Sequence, residues 1–287
     1  VTTHTWFITG SSRGFGRSLA TAALAAGDRV VATARKPEQL DDLVVQYGDR
    51  VFPVALDVTD AAAAESAFSA AQERFGRVDV VVNNAGYANI APVETADEAD
   101  FRRQFDTNFW GIYNVSKAAL PILRRQEGGI VIQFSSIGGR VGGTPGLGSY
   151  QAAKFAVDGL TRVLAAETAP MGVRYLVVEP GGFATDWAGA SMEIGAVPEG
   201  YQATVGAMAD MLRSGTSQIG DPDRAAEILV RIVKADTLPT HLLLGGYPVQ
   251  AALDYSRSQI DEVTAWQAVS ASADQGAQYP VDLPPSK

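Results

Sequence analysis

Short, nearly continuous apolar runs alternate along most of the chain with stretches whose apolar positions recur every three to four residues, and these two periods separate strand from helix. Phe7-Ile8 leads into a glycine-rich stretch, after which Leu19 to Ala26 reads as helix. Arg29 to Ala34 (RVVATA) predicts a strand, Leu40 to Tyr47 a helix, and Val51 to Leu56 (VFPVAL) a strand weakened by its internal Pro53. Alanine-rich Ala61 to Phe75 predicts a helix and Val78 to Val82 (VDVVV) a buried strand. Ala96 to Leu120 is helical in pattern, with an interruption near Trp110-Gly111. Strands at Gly129 to Phe134 (GIVIQF) and Val173 to Val178 (VRYLVV) flank a long helix from Tyr150 to Thr168. Asp221-Pro222 supplies a cap and a first-turn proline for a helix through Val233, and Leu242 to Leu244 gives a last, weak strand.

Strands that are apolar throughout have both faces covered, so this rhythm predicts an α/β fold with a parallel sheet between helices. The stretch 181–220 breaks the rhythm. It is long, dotted with glycine and carries Phe183, Trp187, Met192, Tyr201, Met208 and Met211. An insertion after a strand's C-terminal end reads as a substrate lid, with a satellite helix pair on the core as the other reading. Residues 1–246 form one catalytic unit on this view, and 247–287 a C-terminal helix (Val249 to Val269, amphipathic) and a mobile polar tail.

The chain has no cysteine and two histidines, which excludes disulfides, thiolate chemistry and a histidine-rich metal site. No apolar run is long enough for a membrane span, and Val1 to Gly10 lacks the pattern of a signal peptide. A net charge of −9 argues against a general nucleic-acid or membrane-surface role. The basic residues are 18 Arg and only 5 Lys, so each lysine draws notice. These features point to a cytoplasmic protein with a small-molecule partner, no metal, no nucleic acid and no membrane.

The candidate chemistry sits at strand ends. Thr9-Gly10-Ser11-Ser12-Arg13-Gly14-Phe15-Gly16 lies between a strand and a helix, where glycines admit a ligand and the helix N-terminus offers N–H groups to a phosphate. No acid follows the second strand; Arg35 stands there, and with Arg13 it suits the extra phosphate of NADP rather than the ribose hydroxyls of NAD. Asp57-Val58 follows the third strand, where a carboxylate either accepts from adenine or caps a helix. Asn83-Asn84-Ala85-Gly86 follows the fourth, as turn residues small enough to leave room for a ribose. Tyr150 and Lys154 share a helix face, and an ammonium there would lower the phenol pKa toward the range useful for proton transfer. Ser135-Ser136 ends the fifth strand, where a hydroxyl either meets a substrate oxygen or merely opens the glycine-rich loop to Gly148. Asn108 lies mid-helix, a disfavoured position that invites a functional reason, with plain solvation as the alternative.

Taken in this order, these residues resemble the short-chain dehydrogenase/reductase family from about Trp6 to Leu244, and the spacing of Gly10, Gly14 and Gly16 together with Tyr150-x3-Lys154 is similar to its compact oxidoreductase branch. The resemblance implies a Rossmann-type, doubly wound, seven-stranded parallel sheet in a single domain. It implies a catalytic set of Asn108, Ser136, Tyr150 and Lys154, with Tyr150 as proton donor, Ser136 on the substrate oxygen, Lys154 on the nicotinamide ribose and Asn108 positioning a water in a proton relay. It implies a cofactor site of Gly10, Ser12, Arg13, Gly14, Phe15, Gly16, Arg35, Asp57, Val58, Asn84, Ala85, Gly86, Pro180, Gly181 and Thr185. One departure stands out: Ser136 and Tyr150 are one residue further apart than is usual, within a loop whose glycines can absorb it.

The expected reaction is hydride transfer between NADP(H), with NAD(H) as the other possible cofactor, and a ketone or secondary alcohol. Ile137, Val141, Leu147, Phe183 and Trp187, with some of Tyr201, Met208 and Met211, are expected to wall an apolar substrate pocket. An alcohol dehydrogenase working in the oxidative direction and a non-catalytic nucleotide-binding scaffold are the other readings. The resemblance further implies a homo-oligomer joined through the two long helices, and the extra C-terminal helix favours a dimer.

Overall fold

In the computed structural model, which describes residues 3–185, 192–216 and 218–285, seven strands pair in the order β3-β2-β1-β4-β5-β6-β7, every neighbouring pair parallel. They are β1 (Thr5–Ile8), β2 (Arg29–Ala34), β3 (Val51–Ala55), β4 (Val80–Asn83), β5 (Gly129–Phe134), β6 (Val173–Pro180) and β7 (His241–Leu244). The doubly wound α/β sheet expected from the sequence is therefore the fold. Side chains alternate across it with period two. Trp6 and Ile8 point into one layer with Leu19, Leu24, Leu229 and Val233, and Phe7 points into the other with Phe68, Val115 and Leu123. The first layer is covered by α1 (Gly14–Ala25), α2 (Asp41–Tyr47) and α8 (Pro222–Val233). The second is covered by α3 (Ala61–Phe75), α5 (Gly111–Arg125) and α6 (Gly148–Thr168). Phe7 and Phe68 stack with ring centres 4.0 Å apart, and each such fully buried side chain is worth about 1.5–3 kcal/mol.

Local chemistry sets the element ends. Asp60 caps α3 by accepting from Ala63 N–H (3.0 Å), and Asp221 caps α8 from Asp223 and Arg224 N–H (3.0 and 3.1 Å), with Pro222 in the first turn. Pro53 is tolerated because β3 is an edge strand. The helical stretch from 98 to 125 is two α-helices, α4 (Glu98–Phe105) and α5, joined by a wide turn at Asp106–Trp110 in which Gly111 N–H reaches back five residues to Asp106 O. The interruption expected at Trp110-Gly111 is this widened turn. Pro121 does not end α5, which runs on to Arg125.

Residues 192–216 form a satellite on the protein body. Backbone bonds join Ile90 to this segment (Ile90 N–H to Glu193 O, 2.9 Å; Gly195 N–H to Ile90 O, 2.8 Å). Val205, Leu212 and the half-buried Met192, Tyr201 and Met208 pack with Ala88, Ile90, Leu147 and Tyr150, with α7 (Ala207–Arg213) included. The C-terminal helix α9 (Gly246–Ala271) buries only Pro248 and Ala252. Its apolar Val249, Leu253, Ile260, Val263 and Trp266 are exposed. No helix among the described residues is long and apolar enough to cross a membrane.

Candidate active site

The sheet order reverses between β1 and β4, and there the loops after the strands part to form a cleft of about 1150 Å³. The glycine loop after β1 forms one wall. The chain turns through positive φ at Gly10 (69°) and Gly14 (53°). At Gly16 a Cβ would stand 2.2 Å from the Gly10 carbonyl oxygen, so only glycine lets α1 begin against its own loop. Asn84 Nδ2 donates to the carbonyls of Thr9 (2.9 Å) and Gly10 (3.2 Å). The Thr9 hydroxyl accepts from Asn84 and Ala85 N–H (2.9 and 3.0 Å) and donates to Val82 O (3.1 Å). Thr9 and Asn84 thus weld the glycine loop to the loop after β4. Arg13 takes the cap position of α1 in extended conformation without a side-chain cap bond, so the first-turn N–H groups and the positive helix end suit a phosphate. Gly10, Ser12, Arg13, Gly14 and Phe15 line the cleft, while Gly16 is buried behind them.

Arg13 and Arg35 are exposed at this wall and pair with no acid among the described residues, whereas Arg17 one turn away is tied to Asp42. That guanidinium holds the Asp42 carboxyl below its usual range. Asp57 is not a helix cap: its carboxylate accepts from the Thr59 N–H (3.0 Å) and hydroxyl (2.7 Å), closing a local turn. Val58 is buried against Gly111, where a Cβ would come within 2.5 Å of it, and Asn114 Nδ2 holds the Val58 carbonyl (3.0 Å).

Asn108 is fully buried, which overturns the solvated reading. Its Nδ2 donates to Tyr87 O and Gln104 O (both 2.8 Å), and its Oδ1 accepts from Tyr87 N–H (3.2 Å). A helix-interior carbonyl, that of Gln104, is thus taken by a side chain, within the widened turn. Gly86 passes so close that a Cβ there would lie 2.4 Å from Asn108 Oδ1.

At the inner end Ser135 turns away, donating to Lys154 O (3.2 Å). Ser136 faces the cleft; its hydroxyl accepts from Gly138 N–H (3.0 Å) and hydrogen-bonds the Tyr150 phenol. Lys154 Nζ donates to Phe134 O (2.6 Å) and lies 5.6 Å from the centre of the Tyr150 ring. Burial pushes Tyr150 up to about 12, only partly opposed by Ser136, and burial draws Lys154 down to about 8. The direction is opposite to the lowering expected from the lysine, because removal from water dominates at Tyr150. A neutral phenol and a serine hydroxyl meeting at one point can together address a carbonyl oxygen, one by proton donation and one by hydrogen bond.

Pro180 and Gly181 line the far wall, and Gly181 is glycine because Pro248 of α9 would lie 2.7 Å from a Cβ there. Thr185 sits beside Gly14, 3.5 Å from where its Cβ would be. Phe183 lines the cleft and packs on Phe15 (ring centres 4.7 Å), which also meets Phe134 (5.3 Å), on the glycine-loop side. Ile137, Val141 and Leu147 do not line this cleft; Leu147 is buried in the satellite cluster with Ile90 and Tyr150. Trp187 lies outside the described residues, Met211 is exposed, and the Tyr201 hydroxyl bonds Glu94. The cleft is also lined by Tyr87, Arg103, Asp106, Thr107, Trp110 and Asn114. The last five recur at helical spacing and were legible as one face, but no residue type among them marked it as a site.

A family model for the short chain dehydrogenase matches residues 4–193. "Oxidoreductase BOA17" of Botryotinia fuckeliana is 53% identical over 252 residues, covering 87% of this chain and 92% of that protein. A short-chain dehydrogenase from Streptomyces avermitilis superposes with a TM-score of 0.88 at 36% identity, covering 95% of this chain and 99% of that one. A short-chain dehydrogenase from Burkholderia cenocepacia, solved in complex with NADP, gives 0.72 at 26% identity over 91% of this chain and 96% of that one.

Proposed function

The chain belongs to the short-chain dehydrogenase/reductase family and is an NAD(P)-dependent oxidoreductase, and on that premise we propose that it reduces a lipophilic ketone with NADPH, Tyr150 giving the proton. One observation carries the reading: a buried phenol, kept protonated at neutral pH, hydrogen-bonded by Ser136 at the inner end of a glycine-walled cleft.

The residues present fit a dinucleotide. Gly16 and Gly86 are places where a Cβ would collide with the wall itself, and the uncapped start of α1 suits a pyrophosphate. Gly10 to Gly14 with Thr185 would hold that pyrophosphate, Arg13 and Arg35 the extra phosphate, Asp57 and Val58 the adenine, and Asn84 to Gly86 a ribose. Pro180 and Gly181 would border the nicotinamide, which when bound supplies the hydride to the carbonyl carbon. Tyr150 gives its proton to the oxygen as charge develops there, and Ser136 donates a hydrogen bond to the same atom. Lys154, its proton loosened by burial, stands beside Tyr150 to bind the ribose and return a proton. Asn108 keeps the β4 loop and Gly86 pressed against this group. The oxidative direction would need Tyr150 as phenolate, which burial opposes. The apolar satellite around Leu147, Val205 and Met208 supports a lipophilic substrate, with residues 192–216 as its cover. Exposed Phe155 and Val163 support pairing of two copies through α6, and light scattering giving a monomer would remove that part.

The test is absorbance loss of NADPH, and separately NADH, with aromatic, cyclic and long-chain ketones. Turnover with NADPH well ahead of NADH, lost in Tyr150→Phe, is the expected result. Unchanged turnover in Tyr150→Phe would end the reading.

A further inference from the structure

The turn that carries Ser136 has little rigidity of its own. Residues 138–148 hold six glycines, and three of them, Gly142, Gly143 and Gly146, adopt positive φ. Such a segment loses more backbone freedom on ordering than any other composition. Something outside it must fix where Ser136 points. The segment Ser136–Val141 closes on itself through Gly139 N–H to Ser136 O (2.9 Å) and Val141 N–H to Ile137 O (2.9 Å). It is wedged against α6 at Gly139, where a Cβ would lie 2.8 Å from that of Lys154. Its opposite side ends in Arg140, whose fork grips Glu179: Nε lies 3.0 and 2.9 Å from the two carboxylate oxygens, and a terminal nitrogen 2.9 Å from Oε2.

Glu179 is 1% exposed and immediately precedes Pro180-Gly181 at the end of β6. Burial pushes its carboxyl up and Arg140 opposes this; its other charged neighbours are His241 and Asp158, which pair with each other (2.6 Å). A charge buried in this way is kept only if it is fully paired. The pair extends by side chains a junction that the backbone begins with Ser135 N–H to Val178 O (2.8 Å), and so joins the turn that presents Ser136 to the strand end that borders the nicotinamide site.

We propose that Arg140 and Glu179 are positioning residues, a bidentate brace that fixes the Ser136 turn relative to Pro180-Gly181 and so sets the proton-donating hydroxyls against the hydride-delivering side of the cleft. Neither residue touches the reacting atoms. The proposal rests on the function proposed above.

The decisive variant is the double Arg140→Met, Glu179→Leu, made beside each single change and Arg140→Lys. Single changes strand a buried charge and are expected to fold poorly, whereas replacing both partners with apolar groups restores stability. In the double variant we expect a melting temperature near wild type, a nucleotide Kd by direct titration within about twofold, and a kcat lower by about ten- to a hundredfold, the scale of a misplacement of about 1 Å. Arg140→Lys, which keeps the charge and loses the fork, should fall between. A second readout needs no turnover: amides of Gly139 and Val141 should exchange about tenfold faster in the double variant, with α6 unchanged. Wild-type kcat in the folded double variant, unchanged exchange at these amides, or a parallel loss of nucleotide affinity would each overturn the brace. Should wild-type protein reduce none of the ketones, or Tyr150→Phe keep full activity, the functional reading fails while the exchange experiment still decides the brace.

Discussion

Two glycine-rich loops face each other across the cleft, and they are rigid for opposite reasons. The loop after β1 is held by its backbone: Gly16 presses on the Gly10 carbonyl, and Thr9 and Asn84 bind backbone groups of both adjoining loops. The loop after β5 is held by side-chain bonds to its surroundings: Gln151 reaches in to accept from Thr144 N–H (3.1 Å), while the loop's own Ser135 and Arg140 reach out to Lys154 O and Glu179. A cradle for a phosphate needs bare N–H groups and close approach, so its glycines are irreplaceable. A loop that presents a hydroxyl needs aim, which pins supply, and at one of its glycines, Gly143, a Cβ would meet nothing within 4 Å.

Substitutions should break this comparison in a definite order. Gly16→Val is expected to abolish nucleotide binding, since any Cβ collides with backbone; isothermal titration showing wild-type affinity would refute the backbone-held account. Next, Tyr150→Phe should lower kcat by about 10²–10⁴-fold while leaving nucleotide Kd unchanged, read by steady-state kinetics beside direct titration. Arg35→Ala should weaken NADPH by about ten- to a hundredfold through loss of a charge-assisted contact and leave NADH alone, a shift visible in the two KM values. The smallest effect belongs to the second loop. Gly143→Ala meets nothing within 4 Å and strains only its positive φ, so thermal unfolding should report a loss of about 1 kcal/mol with kcat unchanged.

The pH dependence sharpens the contrast between the two buried partners. Tyr150, raised to about 12, stays protonated throughout the working range, so reductive kcat should be level near neutrality and fall as pH passes about 8, where Lys154 loses its charge. A profile level through pH 10 would show that the charge on Lys154 is not needed. Stability moves the other way. The folded protein gives up the Lys154 proton before the unfolded chain does, so between about 8 and 10.5 unfolding must take up a proton and stability should rise with pH relative to Lys154→Met.

Much of this architecture was legible from local pattern. The strands, the capped α8 and the glycine loop announce themselves within a few residues, because period, cap and turn chemistry are local. Serine and asparagine were harder. Which of Ser135 and Ser136 meets Tyr150 depends on strand pleat at the end of β5, and Asn108 becomes a buried brace only because Tyr87 crosses it from another loop. The sign of the Tyr150 shift could not come from an i, i+4 spacing, since burial decides it. The surroundings of the apolar candidates were not legible for a related reason: Phe183 and Leu147 are apolar in any event, and only the fold shows that one joins Phe15 and the other the satellite cluster. Arg140 and Glu179 are 39 positions apart and carry no motif. The amphipathic pattern of α9 was legible, yet pattern alone names no partner.

Pro53 has a consequence beyond strand propensity. Leu56 N–H donates to Ala34 O, so with a two-residue period the nitrogen of Pro53 points away from β2, to the outer border of the sheet. That border offers a missing donor at the middle of its five residues. A half-folded chain emerging at this edge is a poor template for a strand from another molecule, so the residue that weakens β3 as a sequence signal also guards the newly made protein against edge-to-edge aggregation.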